Sequence, residues 1–259
     1  MSGHSKWDTI KHKKALNDAK KGKKFTKLAQ LISVAARDGG GDTGMNPSLR
    51  LLVEKARAES MPVANIDRAI DRGVGKGSES LQFERASYEG FGPAGVQLIV
   101  DVLTENRNRS VAEIKNIFSD KGGHFGETGA VSWNFENKGM VTMVIGKKVK
   151  SSKFGAPDEV VLCDKDETML TLMEVEGVLD IQDAEVQDNP GFEVICDVVN
   201  LGKVRDAILA LGYIVDNAEI VKICKMTKEF TPEQLDSIEE FISALEDYDD
   251  VQNVWTDIG

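Results

Sequence analysis

Residues 231–256 read TPEQLDSIEEFISALEDYDDVQNVWT, and the fold turns on where this pair of elements goes. Thr231 is a favoured N-cap, Pro232 suits a first helical position, and Gln234 completes a capping box. Leu235, Ile238, Ile242 and Leu245 recur at helical spacing, which predicts an amphipathic helix. Residues 251–256 follow as a strand. One helix and one strand have no sheet of their own, so they must complete a sheet begun earlier in the chain.

Residues 82–136 supply such a sheet. Strands are expected at 82–89 and 96–103, joined by the turn-rich Phe91-Gly92-Pro93-Ala94-Gly95. Ser110 is read as the cap of a helix, with Glu113 closing its box and Val111, Ile114 and Phe118 facing inward. Gly122-Gly123 ends that helix, and a further strand is expected at 131–136. This β-β-α-β segment lacks a second helix and a last strand. The intervening residues carry a complete β-α-β-β-α-β order: strand 140–145, helix 167–176, strands 180–186 and 192–199, helix 203–211 and strand 219–226. That is the ferredoxin-like split arrangement.

The N-terminal part is helical. Phe25, Leu28, Ala29, Ile32 and Ala36 share one helix face, and Gly39-Gly40-Gly41 ends the helix. Asn46 caps a second helix with Pro47 in its first turn, and Met61-Pro62 opens a third that Gly73 is expected to follow. The predicted fold class is α+β multidomain. A helical domain (1–80) precedes two ferredoxin-like α/β domains, one inserted in the other: residues 81–137 plus 226–259, and the insert 138–225.

Charge is unevenly placed. Lys6, Lys11, Lys13, Lys14, Lys20, Lys21, Lys23, Lys24 and Lys27 face only Asp8 and Asp18 in residues 1–30, a net +7. The whole chain is at −11, so residues 31–259 carry −18. Ordinary solvated faces mix the two signs; a cationic arm on an acidic body is the arrangement of a polyanion binder. His12 sits within the arm. Trp7 and Phe25 either stack on bases or anchor the arm to the helices. Arg107 and Arg109, in Asn106-Arg107-Asn108-Arg109, are forked donors suited to phosphate or to an acidic surface. Residues 230–259 contain nine acids and no Lys or Arg. Glu233, Asp236 and Glu240 there share one expected helix face that competes with nucleic acid for the arm or simply aids solubility.

Several functions are disfavoured. Cys163, Cys196 and Cys224 are too far apart for a Cys-x-x-Cys site, so neither a disulfide framework nor zinc is indicated, and they are read as small residues in a reducing compartment. No apolar run reaches the length of a membrane span, and the lysine-rich start has no apolar signal region. A cytoplasmic protein is expected. Gly73-Val74-Gly75-Lys76-Gly77-Ser78 fails as a phosphate loop because Ile70 stands where its first glycine belongs. Lys121-Gly122-Gly123-His124-Phe125-Gly126 is read as a glycine-rich turn before a strand. No nucleophile–base arrangement, paired-carboxylate site, metal site or cofactor motif can be assembled, so no enzymatic activity is expected.

Gly3-His4-Ser5-Lys6-Trp7 followed by Ile10-Lys11-His12-Lys13-Lys14 closely resembles the N-terminal signature of the YebC/PmpR family. Asn46-Pro47-Ser48-Leu49-Arg50, Tyr88-Glu89-Gly90-Phe91-Gly92-Pro93-Ala94-Gly95 and Asn106-Arg107-Asn108-Arg109 carry the resemblance onward. Gly122-Gly123 and the Leu245-Glu246-Asp247 to Val254 segment extend it to essentially the whole chain, with 146–158 as a variable connection. The resemblance implies a helical domain and two ferredoxin-like domains. It also implies DNA binding and transcriptional control or, in some members, action in translation. The expected nucleic-acid contacts are Lys6, Trp7, Lys11, His12, Lys13, Lys14, Lys20, Lys21, Lys23, Lys24, Lys27, Arg107 and Arg109. The partner is duplex DNA, with ribosomal RNA as the alternative and a protein at the acidic α/β surface as a further one.

Overall fold

A computed structural model describes residues 18–76, 83–149, 159–186 and 188–259, with the backbone alone at 18–21 and 159. The arm through residue 17 lies outside them, as do residues 77–82, which include the start of the strand expected at 82–89, and residues 150–158 of the variable connection. The described chain divides into two compact units. One holds residues 18–132 with Phe230–Thr256, the other Trp133–Glu229 with Asp257–Gly259.

The first unit begins with helices α1 (Asp18–Gly39), α2 (Pro47–Ala58) and α3 (Val63–Gly73). Asn46 caps α2: its side-chain oxygen accepts from the Leu49 amide at 3.1 Å. Its amide donates to the Ala35 and Gly40 carbonyls, so one residue fixes the end of α1 and the start of α2. Leu28, Ile32, Leu49, Val53, Met61 and Ile66 form the buried core of this part. Gly73 is the last residue of α3 rather than the one beyond it.

The α/β part of this unit is a four-stranded antiparallel sheet. Its strands are β1 (Glu84–Phe91), β2 (Gln97–Thr104), β3 (His124–Phe125) and β9 (Val251–Thr256), in the order β3-β1-β2-β9. The returning strand pairs with β2 from Leu98↔Thr256 to Val102↔Val251. Helices α4 (Arg107–Asp120) and α7 (Pro232–Glu246) pack together, with the Phe118 and Phe241 rings edge to face at 5.0 Å. Gly90 lies under the Phe118 ring, where any β-carbon would collide with it. The capping box on α7 is present, and Ile238, Phe241, Ile242 and Leu245 are its buried stripe. A small cluster of Val34, Phe83 and Leu103 joins α1 to this sheet.

Three local expectations are corrected here. The cap of α4 is Asn106, whose side chain accepts from the Arg109 amide at 3.1 Å; Ser110 is instead turned inward and buried. Residues 131–136 are not one strand. The Val131 and Ser132 amides donate to the Glu89 carboxylate at 2.8 Å each, which removes them from any ladder, and Ser132–Asn134 is a 3-10 turn. The glycine-rich 121–126 stretch is not all loop, since His124–Phe125 is edge strand β3.

The second unit holds β4 (Phe135–Val149), β5 (Glu159–Leu162), β6 (Val178–Val186), β7 (Asn189–Cys196) and β8 (Tyr213–Cys224). Central β4 pairs with β7 on one side and β8 on the other, and β6 pairs with β7. Short β5, absent from the sequence reading, pairs with the end of β4. Without it, the element order is β-α-β-β-α-β, with α5 (Lys165–Met173) and α6 (Leu201–Ala210) as the helices. Their Leu172, Val204 and Ile208 pack on Val141, Met143, Phe192 and Val194. The molecule is thus mixed α/β, with seven helices among the described residues, a helical N-terminal part and two antiparallel sheets.

Candidate nucleic-acid interface

Helix α1 carries the C-terminal lysines of the arm, and helical spacing puts Lys20, Lys24 and Lys27 on a face other than its apolar stripe. Lys6, Trp7, Lys11, His12, Lys13 and Lys14 lie outside the described residues, and for Lys20 and Lys21 only the backbone is described. The other three lysines have partners within the protein. Lys27 Nζ donates to the Glu246 carbonyl at 2.8 Å. Lys23 Nζ donates to the Asp247 carbonyl at 3.1 Å and lies 3.0 Å from that residue's carboxylate. Lys24 pairs with Glu59 at 2.9 Å. Phe25 is half-buried against the helical core, so it anchors α1 rather than offering a free stacking face.

The contacts of Lys23 and Lys27 have a clear electrostatic cause. A helix ends in carbonyls without intrahelical partners and a partial negative charge, which cations in the last turn offset. The last turn of α7 contains no basic residue. Lys23 and Lys27 supply that charge from α1. The acidic face expected on α7 is present, with Glu233, Asp236 and Glu240 exposed, but these lysines meet the other end of the helix.

The two candidate arginines are separated in role. Arg107 opens α4 and lines a cavity of about 530 Å³ together with Tyr88, Val111, Lys115 and Phe125. Arg109 lies 3.6 Å from Asp250. Asp250 is buried, and its Oδ2 is within hydrogen-bond distance of Ser110 Oγ (2.7 Å), Thr104 Oγ1 (2.9 Å) and the Tyr248 hydroxyl (3.0 Å). The Tyr248 hydroxyl and then the Asp250 charge push the Arg109 guanidinium above its ordinary range, and burial raises the Tyr248 phenol. Arg109 therefore braces the junction of α4 and β9.

Sequence reasoning missed the cavity. Its one signal was the i, i+4, i+8 spacing of Arg107, Val111 and Lys115, which lines up on one side of a helix. Among the described residues there is no grouping of His, Cys, Asp and Glu fit to hold a metal, and no helix is long and apolar enough to cross a membrane. The three cysteines are free thiols.

A helical leader feeding two antiparallel α/β sheets, with the last helix and strand returning to the first sheet, defines the architecture. Residues 5–76 match the family model described as "TACO1/YebC protein N-terminal domain", and residues 83–258 match "TACO1/YebC second and third domain". The chain belongs to the TACO1/YebC family. Relatives named "Probable transcriptional regulatory protein" include one from Desulfitobacterium hafniense, 43% identical over 98% of this chain and 94% of the relative. Another, from Chloroherpeton thalassium, is 42% identical over 100% of this chain and 95% of the relative. The crystal structure of a conserved hypothetical protein, Aq1575 from Aquifex aeolicus, matches with a TM-score of 0.77 and 32% identity, covering 93% of this chain and 91% of that one. The family is one of regulatory proteins, not of enzymes.

Proposed function

We propose that the protein is a cytoplasmic regulator of transcription that binds duplex DNA through its lysine-rich N-terminal arm. The observation that carries the reading is charge segregation: +7 in residues 1–30 against −18 in the remainder. The names of the relatives support the same direction. Lysines neutralise phosphates and release counterions, giving affinity with little sequence information. Because Lys23, Lys24 and Lys27 have partners in the protein, the phosphate contacts in this reading fall to Lys6, Lys11, Lys13, Lys14, Lys20 and Lys21, with His12 and Trp7 among them. The arm offers no Arg, Asn or Gln cluster for reading bases, so specificity rests on DNA shape or on other parts of the molecule.

The accompanying domain reading is a helical domain (1–80), a discontinuous ferredoxin-like domain (81–137 plus 226–259) and a ferredoxin-like insert (138–225). The pairing of β9 with β2 supports it, as does the contiguity of β4–β8 in sequence.

Affinity for bare duplex DNA and for purified ribosomes at matched salt tests the function. Duplex binding is expected to be the tighter, with log K falling against log salt at a slope of roughly −4.5 to −5.4 for five or six neutralised phosphates. Replacing Lys11, Lys13, Lys14 and Lys20 by Ala should reduce that slope by about 3 to 4 with the fold intact. Tighter binding to ribosomes, or an unchanged slope in the folded variant, overturns this reading.

A further inference from the structure

The Arg107 cavity is not explained by folding. One wall is the α4 stripe Arg107, Val111 and Lys115; the other is β1, with Tyr88. Phe125 forms part of the lining, its ring 5.8 Å from that of Tyr88, and Lys115 Nζ stands 5.1 Å from its centre. Neither Arg107 nor Lys115 has an ion-pair partner among the described residues. Tyr88 is only 7% exposed, and its hydroxyl has no hydrogen-bond partner. A buried hydroxyl without a partner is unusual and costly in a native fold. That hydroxyl is closed off from the recess, which Tyr88 lines through the rest of its side chain, while Arg107 and Lys115 line it as exposed cations.

We propose that this cavity binds a single-stranded nucleic-acid segment, as a contact separate from the arm. The proposal deepens the nucleic-acid reading and rests on it for the ligand's class. Arg107 and Lys115 are eight residues apart on one helix, a rise of about 12 Å, which suits two phosphates of one strand rather than one compact anion. Guanidinium and ammonium groups are the expected phosphate donors. Val111 and Phe125 provide an apolar surface for the sugar and base between the two charges. The open recess of about 530 Å³ accepts a splayed base and its sugar, which only an unpaired strand offers. Glu127 is the one carboxylate in the lining. It disfavours phosphate on its side and can accept from a base amino group.

The test uses the full chain and three probes: a six-nucleotide oligouridylate, the matching oligothymidylate, and poly-glutamate of equal charge. Arg107→Gln with Lys115→Gln should weaken both oligonucleotides at least ten-fold. The same pair should flatten their salt slope by about 1.4, two contacts at the single-strand increment. Tyr88→Phe, which keeps the ring packing and removes only a hydroxyl closed off from the recess, should leave both affinities unchanged. Poly-glutamate should bind weakly and respond little to either change. The arm variant separates the two readings: it should reduce duplex binding and leave the Arg107/Lys115 effect on single strands in place. The cavity proposal is overturned if the folded double variant binds oligonucleotides as the unaltered protein does. Equal losses for poly-glutamate also overturn it, since the site would then be a generic anion sink. If the arm variant keeps duplex affinity while the Arg107/Lys115 double variant loses single strands, the arm reading fails and this one stands.

Discussion

At the scale of single residues, two buried carboxylates show how the sequence's acids divide between surface and scaffold. Glu89, 8% exposed, accepts the Gly129 amide at 2.9 Å on one oxygen and the Val131 and Ser132 amides at 2.8 Å on the other. Burial alone would raise its pKa, but the three amides outweigh it and hold the carboxyl below its ordinary value. A depressed folded-state value contributes stability that is complete above the unfolded carboxylate pKa of about 4.3 and is lost as pH falls through the folded value. Glu89→Gln keeps the shape but replaces one acceptor oxygen with a donor facing an amide. The variant should lose about 2 kcal/mol at pH 7, and the difference from the unaltered protein should shrink as pH falls from 5 to 3. Urea titrations across that range check it; a pH-independent gap would mean that packing, not charge, sets the effect. Asp250 has the other buried role, collecting the hydroxyls of Ser110, Thr104 and Tyr248. Neither role was legible in the sequence. Glu89 and Asp250 are distinguished from the remaining acids only by partners that are distant along the chain.

Helix α7 and helix α1 make the corresponding argument at the scale of elements. The capping box, the apolar stripe and the strand Val251–Thr256 were all legible because local rules write them: cap, spacing and β-branched content. The absence of Lys and Arg from 230–259 already shows that α7 has no cation of its own; what sequence could not disclose is that α1 supplies two. Lys27 makes the half-buried contact, whereas the Lys23–Asp247 pair is exposed and screened. Lys27→Ala should therefore cost about 1 kcal/mol and Lys23→Ala a few tenths. Both should leave duplex affinity at fixed salt nearly unchanged, since these lysines face the protein. Chemical denaturation beside a binding titration separates the roles. If stability is unaffected while affinity drops, Lys23 and Lys27 belong with the phosphate contacts instead. The misplaced start of α4 has a similar origin. Asn106 and Ser110 are both good caps by type, and only the buried Asp250 decides which one turns inward. The cavity lay hidden for the same reason: Tyr88, Phe125 and Arg107 meet only after β1, β3 and α4 assemble.

For the whole molecule the decisive quantity is how much of the first unit depends on residues far along the chain. The Ile238, Phe241, Ile242 and Leu245 side chains of α7 are fully buried. At about 1.5–3 kcal/mol each, their burial amounts to roughly 6–12 kcal/mol, the same order as the entire stability of a typical domain at about 5–15 kcal/mol. β9 in addition satisfies one edge of β2. The strands of the second sheet, by contrast, all lie between Phe135 and Cys224. The last residues meet the chain beyond that sheet, where Lys228 bridges Ile258 and its amide donates to the Asp257 carbonyl. Ending the chain after Met226 should therefore abolish amide protection at 98–103 and 111–118, where β2 and α4 lose their cover. Protection at 140–145 and 192–196 should persist, because β4 and β7 keep both neighbours and both helices. Hydrogen exchange on the shortened protein reads the two sets in one experiment. Parallel loss in both would show that the units unfold as one cooperative body and would remove the discontinuous-domain reading. Protection retained at 98–103 would show that β2 does not need β9, and that the final helix and strand are an addition to the sheet rather than its completion.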